Sequence, residues 1–421
     1  MTPAKLVLEP AQAKDGVLRL VASLIEADGS IERLWWEVPE AWGDAVTTWA
    51  DPWVVGFLFP IMQRDRPVHV EGRVSPSLLG NLDLFMKIWR IWAMGPYSVV
   101  SITADEEIEL PPVRDPGLTI SSFSCGVDSS FTVYRHARGL VGRRSQRLAA
   151  GVLQHGFDVL LDQPNAQGIQ RNMLAGATTM LGSLNLPCIP LVTNFRQMKM
   201  NWSHAWGTQL VSGLSLLAGR YDTALVANDL PYAWLGIPWA IHPVTTVLLG
   251  SKGFSIIDDG GEFSRAEKAK AISHWPEAMQ HLRVCFGLDI PGSHENCCRC
   301  EKCTRTMLAF RVAGCPKPAA FKDDASDRQI RRTRWNLPTR MLRWQELARG
   351  ADAAGLGRTS WAKAIRSAVR RNQWRVSRNR LQRPFLPVRN TIRKLVRGTE
   401  LSRRQLAARG PAENQRASRD S

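Results

Sequence analysis

Residues 119–139 read Thr-Ile-Ser-Ser-Phe-Ser-Cys-Gly-Val-Asp-Ser-Ser-Phe-Thr-Val-Tyr-Arg-His-Ala-Arg-Gly. The run Thr119–Phe123 predicts a short strand and Phe131–Arg138 a helix, with the polar turn Ser124-Cys125-Gly126-Val127-Asp128-Ser129-Ser130 between them. A strand–turn–helix of this composition is a phosphate cradle. Backbone N–H groups converge, the helix start adds partial positive charge, and serine hydroxyls donate hydrogen bonds. Gly126 lets the backbone approach a phosphate closely. Asp128 is no phosphate ligand by itself, and fits if it holds Mg²⁺ on a pyrophosphate or orients the loop. A serine-rich cap on an ordinary helix uses the same residue types. Placement directly after a strand favours the cradle. No Gly-Lys-Ser/Thr follows, which excludes a Walker-type loop.

Downstream, the pattern alternates. Leu148–Leu153, Cys188–Thr193 and Thr223–Ala227 read as strands, and Ile169–Leu184 and Ala205–Leu217 as helices. Such alternation predicts an α/β fold with a parallel sheet covered on both faces, and ligands at the carboxyl ends of its strands. Polar residues fall at those ends: the 124–130 loop, Gln154–Asp158, Asn194 and Asn228–Asp229. His155 and Asp158 are candidate contacts to a nucleotide or substrate, or simply a hydrogen-bonded turn. His242 reads as a buried, satisfied histidine. Ser264-x-x-Glu267 is a capping box that starts a helix. It places Arg265 and Lys268 in the first turn, where they neutralise a departing pyrophosphate or face solvent.

The chain has eight cysteines, five of them between Cys285 and Cys303. Disulfides would be spread through a small secreted domain; a tight cluster favours metal. The spacing predicts Zn²⁺ on Cys285, Cys297, Cys300 and Cys303, with Cys298 able to replace Cys297. A four-thiolate iron–sulfur cluster is the alternative.

The 124–130 segment resembles the Ser-Gly-Gly-x-Asp-Ser signature of the PP-loop ATP pyrophosphatases. Ser124, Gly126, Asp128 and Ser129 match, and Cys125 stands in place of the first glycine. That superfamily includes asparagine and GMP synthetases, tRNA thiolation enzymes and the 7-cyano-7-deazaguanine synthases. The synthases also carry one cysteine ahead of a Cys-x2-Cys-x2-Cys group. The likeness covers about residues 118–315. It implies an adenine nucleotide alpha hydrolase-like domain that binds ATP with Mg²⁺ and adenylates a substrate oxygen. Ammonia then displaces AMP, and Asp128, Ser129, Arg265 and Lys268 carry the chemistry. Ser124 to Ser130 hold the nucleotide, His155 and Asp158 are candidates to contact it or the substrate, and zinc, with all four positions filled by protein, is structural. A homodimer is also implied. The stretch Gln154-His155-Gly156-Phe157-Asp158 departs from the aromatic-Gly-Gln substrate segment of the synthases, so the deazaguanine substrate does not carry over. A tRNA-modifying enzyme and a non-catalytic nucleotide-binding protein are the alternatives, the latter because of Cys125.

Length and charge complete the division. At roughly 150 residues per domain, 421 residues predict two or three units. We expect an α+β unit over 1–115, a PP-loop domain over 116–320 and a basic extension over 321–421. In the first unit Leu18–Ile25, Leu34–Val38, Val68–Val70 and Tyr97–Ala104 read as strands, Pro76–Trp92 as a helix, and Glu106–Pro116 as a linker. The net charge of +17 is unevenly placed: residues 328–421 hold 25 Lys/Arg against 5 Asp/Glu, and the rest of the chain 30 against 33. Within this tail Ser360–Val376 reads as a basic helix, and residues beyond Gly398 as disordered. Such a tail attracts RNA or an anionic membrane surface, with Trp335, Trp344, Trp361 and Trp374 available for stacking on bases. No apolar run reaches the ~18–20 residues of a membrane span and no signal core follows Met1, so a cytoplasmic protein is expected.

Overall fold

The computed structural model describes residues 2–285, 296–335 and 338–382. The stretch beyond Gly398 that reads as disordered lies outside them. A single large sheet runs through the chain. Its amino-terminal strands are β1 (Ala4–Leu8), β2 (Gln12–Lys14), β3 (Val17–Ile25), β4 (Ile31–Pro39), β5 (Val68–Val74) and β6 (Ile102–Glu107). The remaining strands are β7 (Leu118–Ser122), β8 (Arg147–His155), β9 (Cys188–Thr193), β10 (Thr223–Ala227) and β11 (Ser255–Asp259). The spatial order is β11-β10-β7-β8-β9-β4-β3-β1-β5-β6, with β2 on β3. From β11 to β9 every neighbouring pair is parallel. Numbered along the chain, this block has the order 3-2-1-4-5, the doubly wound arrangement whose switch point lies between β7 and β10.

The expected boundary at 115/116 falls where the chain crosses from the β6 edge to β7 in the block. It is not a break in the sheet, because β4 pairs antiparallel with β9 through Trp36–Thr193 and Glu37–Val192. Asn194 seals this junction. Its side chain accepts from Trp35 N–H at 2.9 Å and donates to the Arg33 carbonyl at 3.0 Å. This strand-end residue therefore ties the two halves together.

Alternate residues feed two cores. Val152 and Ile120 face one, with helices α1 (Asp51–Arg64), α2 (Pro76–Trp92) and α5 (Trp202–Ser215). Leu153 faces the other, with α3 (Val127–Ala137), α4 (Ala166–Gly182), α7 (Arg265–Ile272) and α8 (Pro276–His281). The same core takes in α9 (Glu301–Val312), α10 (Asp327–Arg332), α11 (Pro338–Ala353) and α12 (Ser360–Gln382). The short α6 (Pro243–Thr246) lies between β10 and β11.

Helix α1 has no helical hydrophobic face in its sequence. It is apolar all round because it is buried from Asp51 to Met62 between the sheet and α5. Pro60 inside it has no N–H for the Gly56 carbonyl. Gln209 of α5 donates to that carbonyl, and Ser212 donates to the Pro52 carbonyl at 2.7 Å.

The sequence reading of β6 needs correction. Tyr97 is not in a strand: it is buried among Phe59, Trp89 and His204, and β6 starts at Ile102. Tertiary aromatic packing decides the path of 97–101, whereas Glu106 and Glu107, read as linker, finish the strand. No described helix is long and apolar enough to cross a membrane.

Candidate functional site

A cavity of about 350 Å³ opens at the carboxyl ends of β7, β8 and β10, at the switch point. The loop between β7 and α3 forms its floor. Here Ser124 N–H donates to Ser129 Oγ at 3.1 Å, and Ser129 Oγ donates to the Gly126 carbonyl at 3.3 Å. The first N–H inside α3 to find a backbone acceptor is that of Ser130, on Gly126 O. The N–H groups of Val127, Asp128 and Ser129 are the open donors of a helix start. Ser130 Oγ is buried without a hydrogen-bond partner among the described residues. A side chain at Gly126 would crowd Ser124 Oγ at 3.2 Å. Cys125 adopts φ 57°, the left-handed region that favours glycine. Its side chain is buried in the core behind the loop, and its carbonyl accepts from Arg283 N–H at 2.8 Å.

The first turn of α7 faces the loop. The capping box is present, with Ser264 accepting from Glu267 N–H and Glu267 from Ser264 N–H. It aims Arg265 at Asp128 Oδ2 and Lys268 at Asp128 Oδ1, the latter at 3.2 Å. Sequence reading assigned catalysis to these three residues separately; the fold joins them. Burial opposes the charge on Asp128. Arg265 and Lys268, with help from Arg343, outweigh that cost and hold the carboxyl well below the usual carboxylate range. Both oxygens are engaged by cations, which ties the loop to the first turn of α7.

His155 and Asp158 stand in the cavity wall at the end of β8. Burial, with Arg283 nearby, pushes His155 down to about 4, so the imidazole is neutral at pH 7; its Nδ1 finds no hydrogen-bond partner among the described residues. Asp158 pairs with Lys302 at 3.5 Å. The sharp path between them needs Gly156: φ is +92°, and a Cβ would lie 2.0 Å from the Thr193 carbonyl oxygen. Arg305, buried on α9, bonds Glu301 at 3.0 Å. Burial and the neighbouring Arg265 and Arg343 push its pKa down to about 10 against the pull of Glu301, which leaves it charged at neutral pH.

Among the lining residues, six Arg/Lys face four Asp/Glu. Arg283, Arg340 and Arg343 were not singled out from sequence. Arg340 and Arg343 come from α11, inside the extension that reads as a tail, and only tertiary folding brings them here. The same folding removes Trp335 and Trp344 from any surface role: both are buried and stack on each other at 4.8 Å. Asn228 and His242 are engaged by hydrogen bonds inside the protein. Asn228 donates to both oxygens of Asp258 at 2.7 and 2.9 Å. His242 caps α6 by accepting from Val244 N–H at 3.2 Å, and its Nε2 meets the Leu235 carbonyl at 2.8 Å.

Beside the cavity, the sulfurs of Cys285, Cys297, Cys300 and Cys303 all lie within 4.8 Å of one another. Sulfurs about 2.3 Å from a tetrahedral ion sit about 3.8 Å apart. The Cys285–Cys300 and Cys297–Cys303 distances are both 3.9 Å. A metal such as zinc fits this set. Cys298 turns away, with φ 57° and its thiol on the Asn296 carbonyl at 3.3 Å, which leaves Cys297 in the cluster. Asn296 braces the site: its Oδ1 accepts from Val284 and Cys285 N–H, and its Nδ2 donates to the Leu282 and Ala320 carbonyls.

These features define a doubly wound α/β protein with a cationic cavity at its switch point and a four-cysteine cluster against the cavity wall. Comparison with protein-family models, with curated proteins and with solved structures finds no match for the chain.

Proposed function

We propose that the protein is an ATP pyrophosphatase-type enzyme of the PP-loop kind, which adenylates a substrate oxygen and then exchanges AMP for nitrogen. One observation carries this reading: open helix-start N–H groups and a surplus of cations meet in one cavity at the sheet's switch point. A polyanion is the ligand that such a site stabilises most.

In this reading the N–H groups of residues 127–129 and the hydroxyls of Ser124 and Ser129 hold the β- and γ-phosphates; Ser130, fully buried, stands behind the loop. Mg²⁺ arriving with the nucleotide supplies further neutralisation. The acceptor oxygen attacks the α-phosphorus, a P–O bond forms, and the bond to pyrophosphate breaks. Arg265 and Lys268, fixed by Asp128, take up the charge on the leaving group. Ammonia next attacks the activated carbon and AMP leaves. Neutral His155 and Asp158 line the part of the cavity left to nucleoside or acceptor. Zn²⁺ on Cys285, Cys297, Cys300 and Cys303 is structural, since protein fills all four positions. It steadies the 282–285 segment that reaches Cys125.

The test is release of AMP and pyrophosphate from ATP by purified protein with Mg²⁺ and ammonium. Three acceptor pools are compared: 7-carboxy-7-deazaguanine, a small-molecule cell extract and total tRNA. We expect release with one pool, and a loss of about 100-fold or more in Asp128→Asn. Equal release by wild type and variant would sink the assignment of the loop. Nucleotide binding without AMP in every pool would favour a non-catalytic protein, the reading that Cys125 motivates.

A further inference from the structure

The cavity has one wall with no counterpart in the loop–α7 machinery. Helix α11 brings Arg343 to within ion-pair distance of Asp229. Asp229 does two things at once. Its Oδ2 accepts from Arg343, and its Oδ1 accepts from Trp239 Nε1 at 2.9 Å. The Arg343 guanidinium in turn sits 5.7 Å over the Trp239 ring. The side chain is therefore fixed from two directions and is only 13% exposed. Its Nε is buried and finds no hydrogen-bond partner among the described residues. A buried guanidinium N–H without an acceptor is costly unless a ligand supplies one.

The platform under Arg343 is held by tertiary contacts. Trp344 donates to Glu301 at 2.8 Å and stacks on Trp335. Glu346 accepts from Arg265 N–H at 3.1 Å, which joins α11 to the first turn of α7. Arg343 also acts on Asp128 and Arg305 through space. It thus shares the electrostatic neighbourhood of the loop, in a cavity whose lining sets six Arg/Lys against four Asp/Glu.

We propose that Arg343, carried by α11 and aimed by Asp229, is a phosphate-binding residue of this cavity, which it completes by holding the terminal phosphates of a nucleoside triphosphate and the pyrophosphate formed from it. The C-terminal extension up to α11 is then part of the binding site. This rests on the ATP reading above. A guanidinium is suited to the task because its planar fork meets two phosphate oxygens at once.

A purely structural Arg343–Asp229 staple and a phosphate-binding Arg343 predict different patterns. Loss of either partner breaks a staple equally. For phosphate binding, Arg343→Gln removes the donor, whereas Asp229→Asn keeps it and deletes a competing negative charge. The experiment is calorimetric titration of the full-length protein with inorganic pyrophosphate and with ATP, both with Mg²⁺, alongside thermal melts. The expected results are a Kd raised about tenfold or more in Arg343→Gln, an intermediate Kd in Arg343→Lys, and an unchanged or lower Kd in Asp229→Asn. If Arg343→Gln fails to fold, the Lys and Asn variants carry the comparison. Equal weakening in Arg343→Gln and Asp229→Asn overturns the proposal, as does tight wild-type binding that Arg343→Gln leaves unchanged. Wild-type protein that binds neither ligand takes down the ATP reading and this proposal with it.

Discussion

Helix α3 carries a buried carboxylate cluster at each end, and the two are built differently. At its far end Asp259 of β11 accepts from Thr132 Oγ1 at 2.7 Å, from Arg135 Nε at 3.2 Å and again from Arg135 Nη2, and it meets His136 Nε2 at 3.2 Å. At its start Asp128 meets only Arg265 and Lys268 and keeps 17% of its side chain exposed, toward the cavity. Burial opposes both charges; at Asp259 the His136 and Arg135 hydrogen bonds override it, at Asp128 the Arg265 and Lys268 charges do, and both carboxyls sit below the ordinary range. Depression of both carboxyls thus says little about role. Saturation does: Asp259 has spent its acceptor capacity inside the protein, whereas Asp128 and its partner Arg265 both line a cavity large enough for a ligand.

The comparison breaks most visibly in stability. Asp259→Ala leaves buried Arg135 with only the part-exposed Glu262 as counter-charge and His136 Nε2 without its carboxylate partner, and should cost about 3–5 kcal/mol in denaturant melts. The folded fraction should keep its affinity for pyrophosphate. A variant that melts like wild type but loses pyrophosphate would put the functional cluster at the wrong end of the helix. The sign with pH is the same at both ends. A depressed carboxyl contributes stability above its unfolded value of about 3.9, and that contribution is lost as pH falls through the lower folded value.

The next effect separates the ends by metal. Arg283 N–H, two residues from Cys285, bonds the Cys125 carbonyl. Chelation, or Cys303→Ser, should therefore speed amide hydrogen exchange at 124–130 by about tenfold or more while residues 132–136 stay protected. Metal analysis should find about one zinc per chain beforehand. Uniform exchange along α3 after metal loss would mean that the cysteine cluster does not support the loop in particular.

The smallest effect comes from a control carboxylate. Asp51 is buried in the other core, accepts from Ser75 N–H, and has Glu109 as its charged neighbour; burial raises it to about 6. Its protonated form favours folding. That contribution is fully present below the unfolded value of about 3.9 and is lost as pH rises through about 6. Asp51→Asn keeps the Ser75 acceptor, and should gain on the order of 2 kcal/mol over wild type between pH 4 and pH 8. A gain independent of pH would show that the acid, and not its charge, is the cost.

Much of the local structure was legible. Pro76–Trp92, Cys188–Thr193 and Thr223–Ala227 match the expected elements residue for residue, because each carries its own periodicity and its own stop signals. The capping box at Ser264 is a four-residue signal and appears as expected. Strand β11 was missed because Asp258 and Asp259 make its end look like a polar turn, although Ile256 and Ile257 precede them. Their charges are tolerated only because Asn228, Tyr232, Thr132 and Arg135, all distant in sequence, supply the hydrogen bonds.

The sequence by itself determined the strand–loop–helix at 119–138, the α/β alternation that follows it and the cysteine spacing. These depend on short-range geometry: backbone reach, side-chain period and the few residues of a metal knuckle. Tertiary structure alone decided that β4 would join β9, that Asp128, Arg265 and Lys268 would form one cluster, that Cys298 would turn away from the other cysteines, and that α11 would bring Arg343 to the cavity. The reason is physical. Charge in a sequence has a sign but no direction, and only packing determines whether a basic helix faces solvent or faces a buried carboxylate.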